Sequence, residues 1–297
     1  MMAAVFAMQG FGILAGSIVT IIFLSIFKHY GELDINVLDN AWRLVIAFGT
    51  IPCLIAIYFR LTIPETPRYT LQVENNIDKG LNDVDFVKTG KKVEPLQNVL
   101  VDQSKKASFS EFRKYFSKWK NLKLLVATSV CWFALDVGFY GITLNTSIIY
   151  QSIGFGGSFI NTTVTTNFAA NANNFEVIFN GAIGNLIVAV LGLVPGYWVS
   201  VGLIEILGRK KIQIIGFVGL SVTTLILAAS YDKLKAYSTV WFVIVFTLMQ
   251  FFQNFGPNTT TFIYPGELFP TRFRSTCHGI SAAMGKLGMH FNSKKSY

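Results

Sequence analysis

Six runs of apolar residues, near 3–27, 42–61, 122–149, 176–202, 212–231 and 239–263, recur along the chain with polar segments between them. A helix needs about 20 residues to cross a bilayer core of about 30 Å, so each run predicts a membrane-spanning helix. A seventh apolar stretch begins near Ser275, is interrupted by Lys286 and His290, and ends in the polar tail 292–297. The polar stretch 62–121 divides the spans two before and five after. Its mixed charge, with Gly80, Gly90 and Pro95, predicts a mobile linker and a domain boundary. The pattern therefore predicts an all-α polytopic membrane protein in three parts, 1–61, 62–121 and 122–297.

Composition agrees with the pattern. The chain of 297 residues is 52% hydrophobic and 14% charged, with 27 Phe, which is too apolar for a soluble domain of this size. The net charge of +9 does not point to nucleic acid, because of where the charges lie. Arg68, Lys79, Lys88, Lys91, Lys92, Lys105, Lys106, Arg113, Lys114, Lys118 and Lys120 fall in 62–121, Arg209 to Lys211 follow the fourth span, and Arg272 and Arg274 follow the sixth. Segment 151–174 has no Lys or Arg. The positive-inside rule then puts the N-terminus, 62–121, 203–211 and 264–276 in the cytoplasm, and 28–41, 150–175 and 232–238 outside, with Lys233 and Lys235 against the trend. Phe109 to Lys120 is basic and aromatic, and reads either as an amphipathic helix on the anionic inner leaflet or as a solvated approach to the next span.

Asp136 is a carboxylate inside the apolar run 122–149. A charge at membrane depth costs at least about 2.5–3.5 kcal/mol, so it reads first as a functional group. Trp132, Asp136 and Tyr140 stand at i, i+4 and i+8, which stacks an indole N–H, a carboxylate and a phenol along one helix face. Lys286 reads either as an ion partner of Asp136 or as a side chain reaching for the interface. Asn258 follows Pro257, whose missing N–H leaves backbone groups that the amide or neighbouring hydroxyls can satisfy, so a structural role and a binding role stand level. Gln9 opens a Gly10, Gly12, Gly16 series that reads as a helix-packing stripe rather than a nucleotide loop. Glu176 reads as interfacial, and Asn161-Thr-Thr as a sequon in an external loop.

Other classes of function find little support. His29, His278 and His290 lack ligand spacing, and Gly208-Arg209-Lys210-Lys211 lacks the preceding glycine of a phosphate loop. No nucleophile elbow is visible, so neither an enzyme nor a bound cofactor is expected. Cys53, Cys131 and Cys277 sit in or beside apolar spans with no pairing pattern and read as free thiols. The start Met1-Met2-Ala3-Ala4 has no basic n-region, which argues against a signal peptide.

Three segments resemble the major facilitator superfamily. Pro64-Glu65-Thr66-Pro67-Arg68 resembles the signature after helix six of its sugar-porter branch. Glu205, Gly208 and Arg209 resemble its acidic and Gly-Arg loop between helices eight and nine, and 265–274, with Glu267, Arg272 and Arg274, resembles the segment after helix ten. A finer resemblance, through 5–9, 132–141, 252–261 and 278–286, is to the fungal-type phosphate:proton symporters.

That resemblance implies helices five to ten of twelve and a truncated eleven, with 1–61 ending an N-terminal bundle and 122–297 forming part of a C-terminal one. It implies inorganic phosphate and protons as partners within a plasma-membrane bilayer. It also implies phosphate bound between the halves by Gln9, Trp132, Asp136, Tyr140, Asn258 and Lys286, with Asp136 in proton coupling. The chemistry fits, since dihydrogen phosphate accepts from indole, phenol, amide and ammonium donors and donates from its own hydroxyls to a carboxylate. A helix-one aspartate and a helix-four Gly-Asp-Tyr-Pro segment of that family are missing from the sequence, so a fragment inactive alone is expected. A glycerophosphodiester permease of the same branch and a non-transporting phosphate sensor are the alternatives.

Overall fold

A computed structural model describes residues 2–33, 38–63, 65–72, 79–84, 108–152 and 168–293. The described residues are almost wholly helical. The two long N-terminal helices are α1 (Met2–Leu33) and α2 (Leu38–Thr62). Short α3 (Pro67–Gln72) and α4 (Phe109–Phe116) belong to the polar stretch. The remaining helices are α5 (Trp119–Thr143), α6 (Thr146–Ser152), α7 (Phe168–Val188), α8 (Val194–Leu207), α9 (Arg209–Tyr237), α10 (Thr239–Gln253), α11 (Thr259–Leu268) and α12 (Thr271–Ser293). A π-turn at Ala189–Leu193 joins α7 to α8, and a second at Asn254–Asn258 joins α10 to α11.

Among the described residues, six stretches are long and apolar enough to cross a membrane: 2–28, 39–62, 119–143, 173–207, 209–234 and 239–268. They coincide with the six runs predicted from sequence. The third differs in detail, because α5 stops at Thr143 although the apolar run continues. Asn145 donates its side-chain amide to the Gly141 carbonyl at 2.7 Å, which satisfies an end carbonyl and lets the chain turn before α6.

Small residues set the packing. Ala3, Ala7 and Gly10 are buried on one face of α1 at helical spacing, and that face meets α7, α8 and α11. Gly10 belongs to it because a side chain there would collide with the ring of Tyr197. Nothing lies within contact of Gly12 or Gly16, so the packing stripe shrinks to its first glycine. Gly12 and Gly16 point away from the face that Ala3, Ala7 and Gly10 bury. On the other side of the bundle α12 lies along α5, with Thr128 and Ser281 hydroxyls 2.9 Å apart. Further along, a side chain at Gly288 would sit 2.6 Å from the Phe133 carbonyl. Residue numbers rise together along both helices, so α5 and α12 run parallel.

At the end of α12 nearest α4 an aromatic cluster forms, where the sequence leaves a leaflet-bound amphipathic helix and a solvated approach both open. Phe112, Tyr115 and Phe116 of α4 pack on Phe269 and Phe273, with Leu125 and Cys277 beneath. Arg113 and Lys114 stay exposed, so the basic face remains free while the aromatic face is used within the protein. Two parts of the linker pack on each other. Thr70 donates to the Asp83 carboxylate at 2.7 Å in a buried contact, and Leu71 fills the space beside Gly80. Residues 73–78 and 85–107 of the linker, the sequon at Asn161 and Pro64 lie outside the described residues.

Candidate functional site

The helical period brings Trp132, Asp136 and Tyr140 to one face of α5, and α12 covers that face. Gly285 makes the approach possible, because a side chain there would overlap the Trp132 indole and stand 2.6 Å from Oδ2 of Asp136. Asp136 is 6% exposed, and its Oδ2 has no hydrogen-bond partner among the described residues. A buried carboxylate oxygen without a donor is costly, which makes Asp136 a candidate for the site.

Lys286, the next residue of α12, does not ion-pair with Asp136. Its Nζ donates to the Tyr140 hydroxyl at 2.7 Å and lies 4.7 Å from the centre of the same ring. Of the two sequence readings, the contact ion pair with Asp136 is not formed, because the ammonium is taken by the Tyr140 hydroxyl. The ammonium is exposed, held by a phenol and its π-face, within electrostatic range of Asp136.

The second group of polar residues forms around the break in α10. Pro257 has no N–H and Phe255 departs from helical geometry, with ψ 22°. Hydroxyls take over: Thr259 and Ser200 donate to the Asn254 carbonyl at 3.0 and 3.4 Å, and Thr260 donates to the Gly256 carbonyl at 2.7 Å. Asn258 then has its amide free for other work, and donates to the Tyr197 hydroxyl at 2.6 Å and to Oδ1 of Asn254 at 2.9 Å. Tyr197 and Asn254 are fully buried, and sequence reasoning missed both. A phenol and an amide inside apolar runs were the available signal.

Gln9 is exposed on α1, beside the buried Gly10, and makes no hydrogen bond to the α5, α10 or α12 residues of the site. Glu176 is exposed at the α7 end that precedes the apolar core of that helix. The motif residues gather elsewhere. Arg209 spreads its guanidinium over two carboxylates, at 3.0 and 3.1 Å from Glu205 and at the same distances from Glu267, and so ties the ends of α8 and α11 to the start of α9. Gly208, with φ 79°, makes the reversal that places Arg209 there. Arg274 donates to the Phe269 carbonyl at 3.2 Å, and Arg272 lies 3.6 Å from Glu111 and over the Phe273 ring. Pro67 and Arg68 open α3, and Glu65 stands two residues before it.

Six described helices long and apolar enough to cross a membrane define a multi-pass membrane protein. Residues 3–292 match the sugar (and other) transporter family, and the chain belongs to that family of the major facilitator superfamily. It is 42% identical over 309 residues to the repressible high-affinity phosphate permease of Neurospora crassa, covering 97% of this chain and 52% of that protein. It is 40% identical to the inorganic phosphate transporter PHO84 of Saccharomyces cerevisiae, covering 97% of this chain and 50% of the other. It is also 40% identical to the low affinity inorganic phosphate transporter 1 of Petunia hybrida, at 96% and 53%. The chain spans about half the length of these curated relatives.

Proposed function

We propose that this chain contributes the larger part of the substrate site of a proton-coupled inorganic phosphate transporter of the plasma membrane. The observation that carries the reading is the pairing on α5 and α12 of an unpartnered buried carboxylate, Asp136, with an exposed ammonium, Lys286, held one helical turn away on Tyr140. Dihydrogen phosphate presents both kinds of partner at once: charged oxygens for Lys286, the Tyr140 hydroxyl and the Trp132 indole, and a P–OH for the carboxylate. Sulfate has no hydroxyl to donate at neutral pH, so Asp136 supplies the discrimination. The relatives' names support phosphate as the cargo.

In this reading Gln9 and α1 come from an N-terminal bundle, 62–121 is the cytoplasmic linker, and 122–297 is most of a C-terminal bundle. Asn258 serves in the site through its carbonyl oxygen, since its N–H groups already serve Tyr197 and Asn254. Asp136 couples proton to substrate, because an ionised carboxylate repels an anion unless a proton or cation offsets it. The 297-residue chain alone does not accumulate phosphate, since alternating access requires two complete bundles moving against each other.

The test is a chimera in which this chain replaces the matching half of the Neurospora crassa permease, reconstituted in liposomes. Phosphate uptake driven by an imposed proton gradient, not inhibited by excess sulfate, is the expected result. Uptake that glycerophosphoinositol suppresses more strongly than phosphate itself assigns the site to glycerophosphodiesters. Binding of phosphate without movement assigns the protein to sensing.

A further inference from the structure

The two polar groups of the candidate site lie on different helices, yet a continuous row of rings connects them. Trp132 meets the His278 imidazole at 5.3 Å with planes at 86°. His278 meets Phe262 of α11 at 5.2 Å, again edge to face. Phe262 stacks on Phe6 of α1 at 4.7 Å and 21°, and Phe6 meets Tyr197 at 6.0 Å and 70°. Tyr197 in turn accepts from Asn258. Five rings from four transmembrane elements and from α12 thus run from the Trp132 indole to the Asn258 amide.

The fourth ring, Phe6, comes from α1, far from the others along the chain. Phe6 shares its face of α1 with Ala3, Ala7 and Gly10, and Gly10 abuts the same Tyr197 ring. Small neighbours let α1 approach closely, so the Phe6 ring enters between Phe262 and Tyr197 instead of lying on the surface. Aromatic pairs prefer edge-to-face or offset stacking, so each ring restricts the tilt of the next. At the far end the indole is held from a second side by Gly285, which leaves it little freedom of its own.

We propose that Phe6 is a positioning residue for the candidate site: its seat between Phe262 and Tyr197 sets, through His278 on one side and the Tyr197 hydroxyl on the other, where Trp132 and Asn258 stand. A shift of α1 relative to the other helices then displaces both ends of the row together. The consequence for substrate rests on the phosphate reading above, but the geometry does not.

The experiment uses the 297-residue chain in lipid nanodiscs, with no phosphate present. The emission of Trp132 is obtained as the difference between the parent and Trp132→Phe, and its exposure is read by acrylamide quenching. In Phe6→Leu, which keeps apolar volume but removes the ring, the Trp132 emission shifts to the red and quenching rises severalfold, while Phe6→Tyr restores both. His278→Leu reproduces the change and His278→Phe does not, which keeps the test decisive if substitutions in α1 impair folding. Unchanged Trp132 emission and quenching in both Leu variants overturns the proposal and leaves Phe6 as packing. In the chimera, Phe6→Leu raises the phosphate KM with little change in maximal rate. If the chimera carries no phosphate, the phosphate reading fails and the fluorescence result still decides the role of Phe6.

Discussion

The Lys286 ammonium donates to the Tyr140 hydroxyl at 2.7 Å and leaves the neighbouring Asp136 carboxylate without an ion partner. The phenol thereby keeps a positive charge near the carboxylate without neutralising it by contact. Tyr140→Phe removes the acceptor but keeps the ring beneath the ammonium, at 4.7 Å. Phosphate affinity in the chimera is expected to fall by about tenfold, equivalent to about 1.4 kcal/mol for a hydrogen bond to a charged group. Unfolding temperature should stay near the parent's, because Lys286 is exposed and its bond adds little to stability. Titration of binding and thermal unfolding of the same preparation separate the two effects.

Gly285 is where α12 comes closest to the site. Gly285→Ala places a methyl group against the Trp132 indole and Asp136 Oδ2, and overpacking of this kind costs about 1–3 kcal/mol. Gly279→Ala, six residues earlier on the same helix, meets open space and should be neutral or slightly stabilising. Thermal unfolding of the two variants side by side checks the assignment, and equal effects contradict it.

The Arg209 fork joins three helix ends, but its carboxylates are unequal. Glu205 is 70% exposed at its side chain and Glu267 39%, so solvent screens the first pair more. Glu267→Gln is expected to cost about 1 kcal/mol or less and Glu205→Gln still less, with both differences shrinking at high salt. Arg209→Lys costs more than either, because an ammonium cannot reproduce the double bidentate geometry. Unfolding temperatures at low and high ionic strength read the order.

Much of this was legible in the chain, in proportion to how local the cause was. The spans followed from hydropathy alone, because backbone groups in a bilayer leave the helix as the form such runs adopt. The α5 face of Trp132, Asp136 and Tyr140 followed from the helical period. What escaped depended on partners far along the chain. The bond from Lys286 to Tyr140 joins residues 146 apart, and the seat of Asn258 on Tyr197 joins residues 61 apart. Composition alone makes α4 a basic, aromatic surface element, whereas Phe269 and Phe273 cover its aromatic face. The end of α5 at Thr143 turned on one side-chain amide, Asn145, inside a run that hydropathy treats as uniform.

If Asp136 links proton and phosphate, Asp136→Asn in the reconstituted chimera uncouples them. The amide keeps the shape and hydrogen-bonding capacity of the carboxylate but cannot take up or release a proton. Uptake against a phosphate gradient, driven by an imposed pH difference, is measured beside exchange of labelled for unlabelled phosphate at equal pH. Accumulation is expected to be lost while exchange persists, and adding Lys286→Met is not expected to restore accumulation even if it improves folding. Accumulation at the parent's level by Asp136→Asn contradicts coupling through Asp136 and reduces it to a buried polar group of the α5–α12 contact.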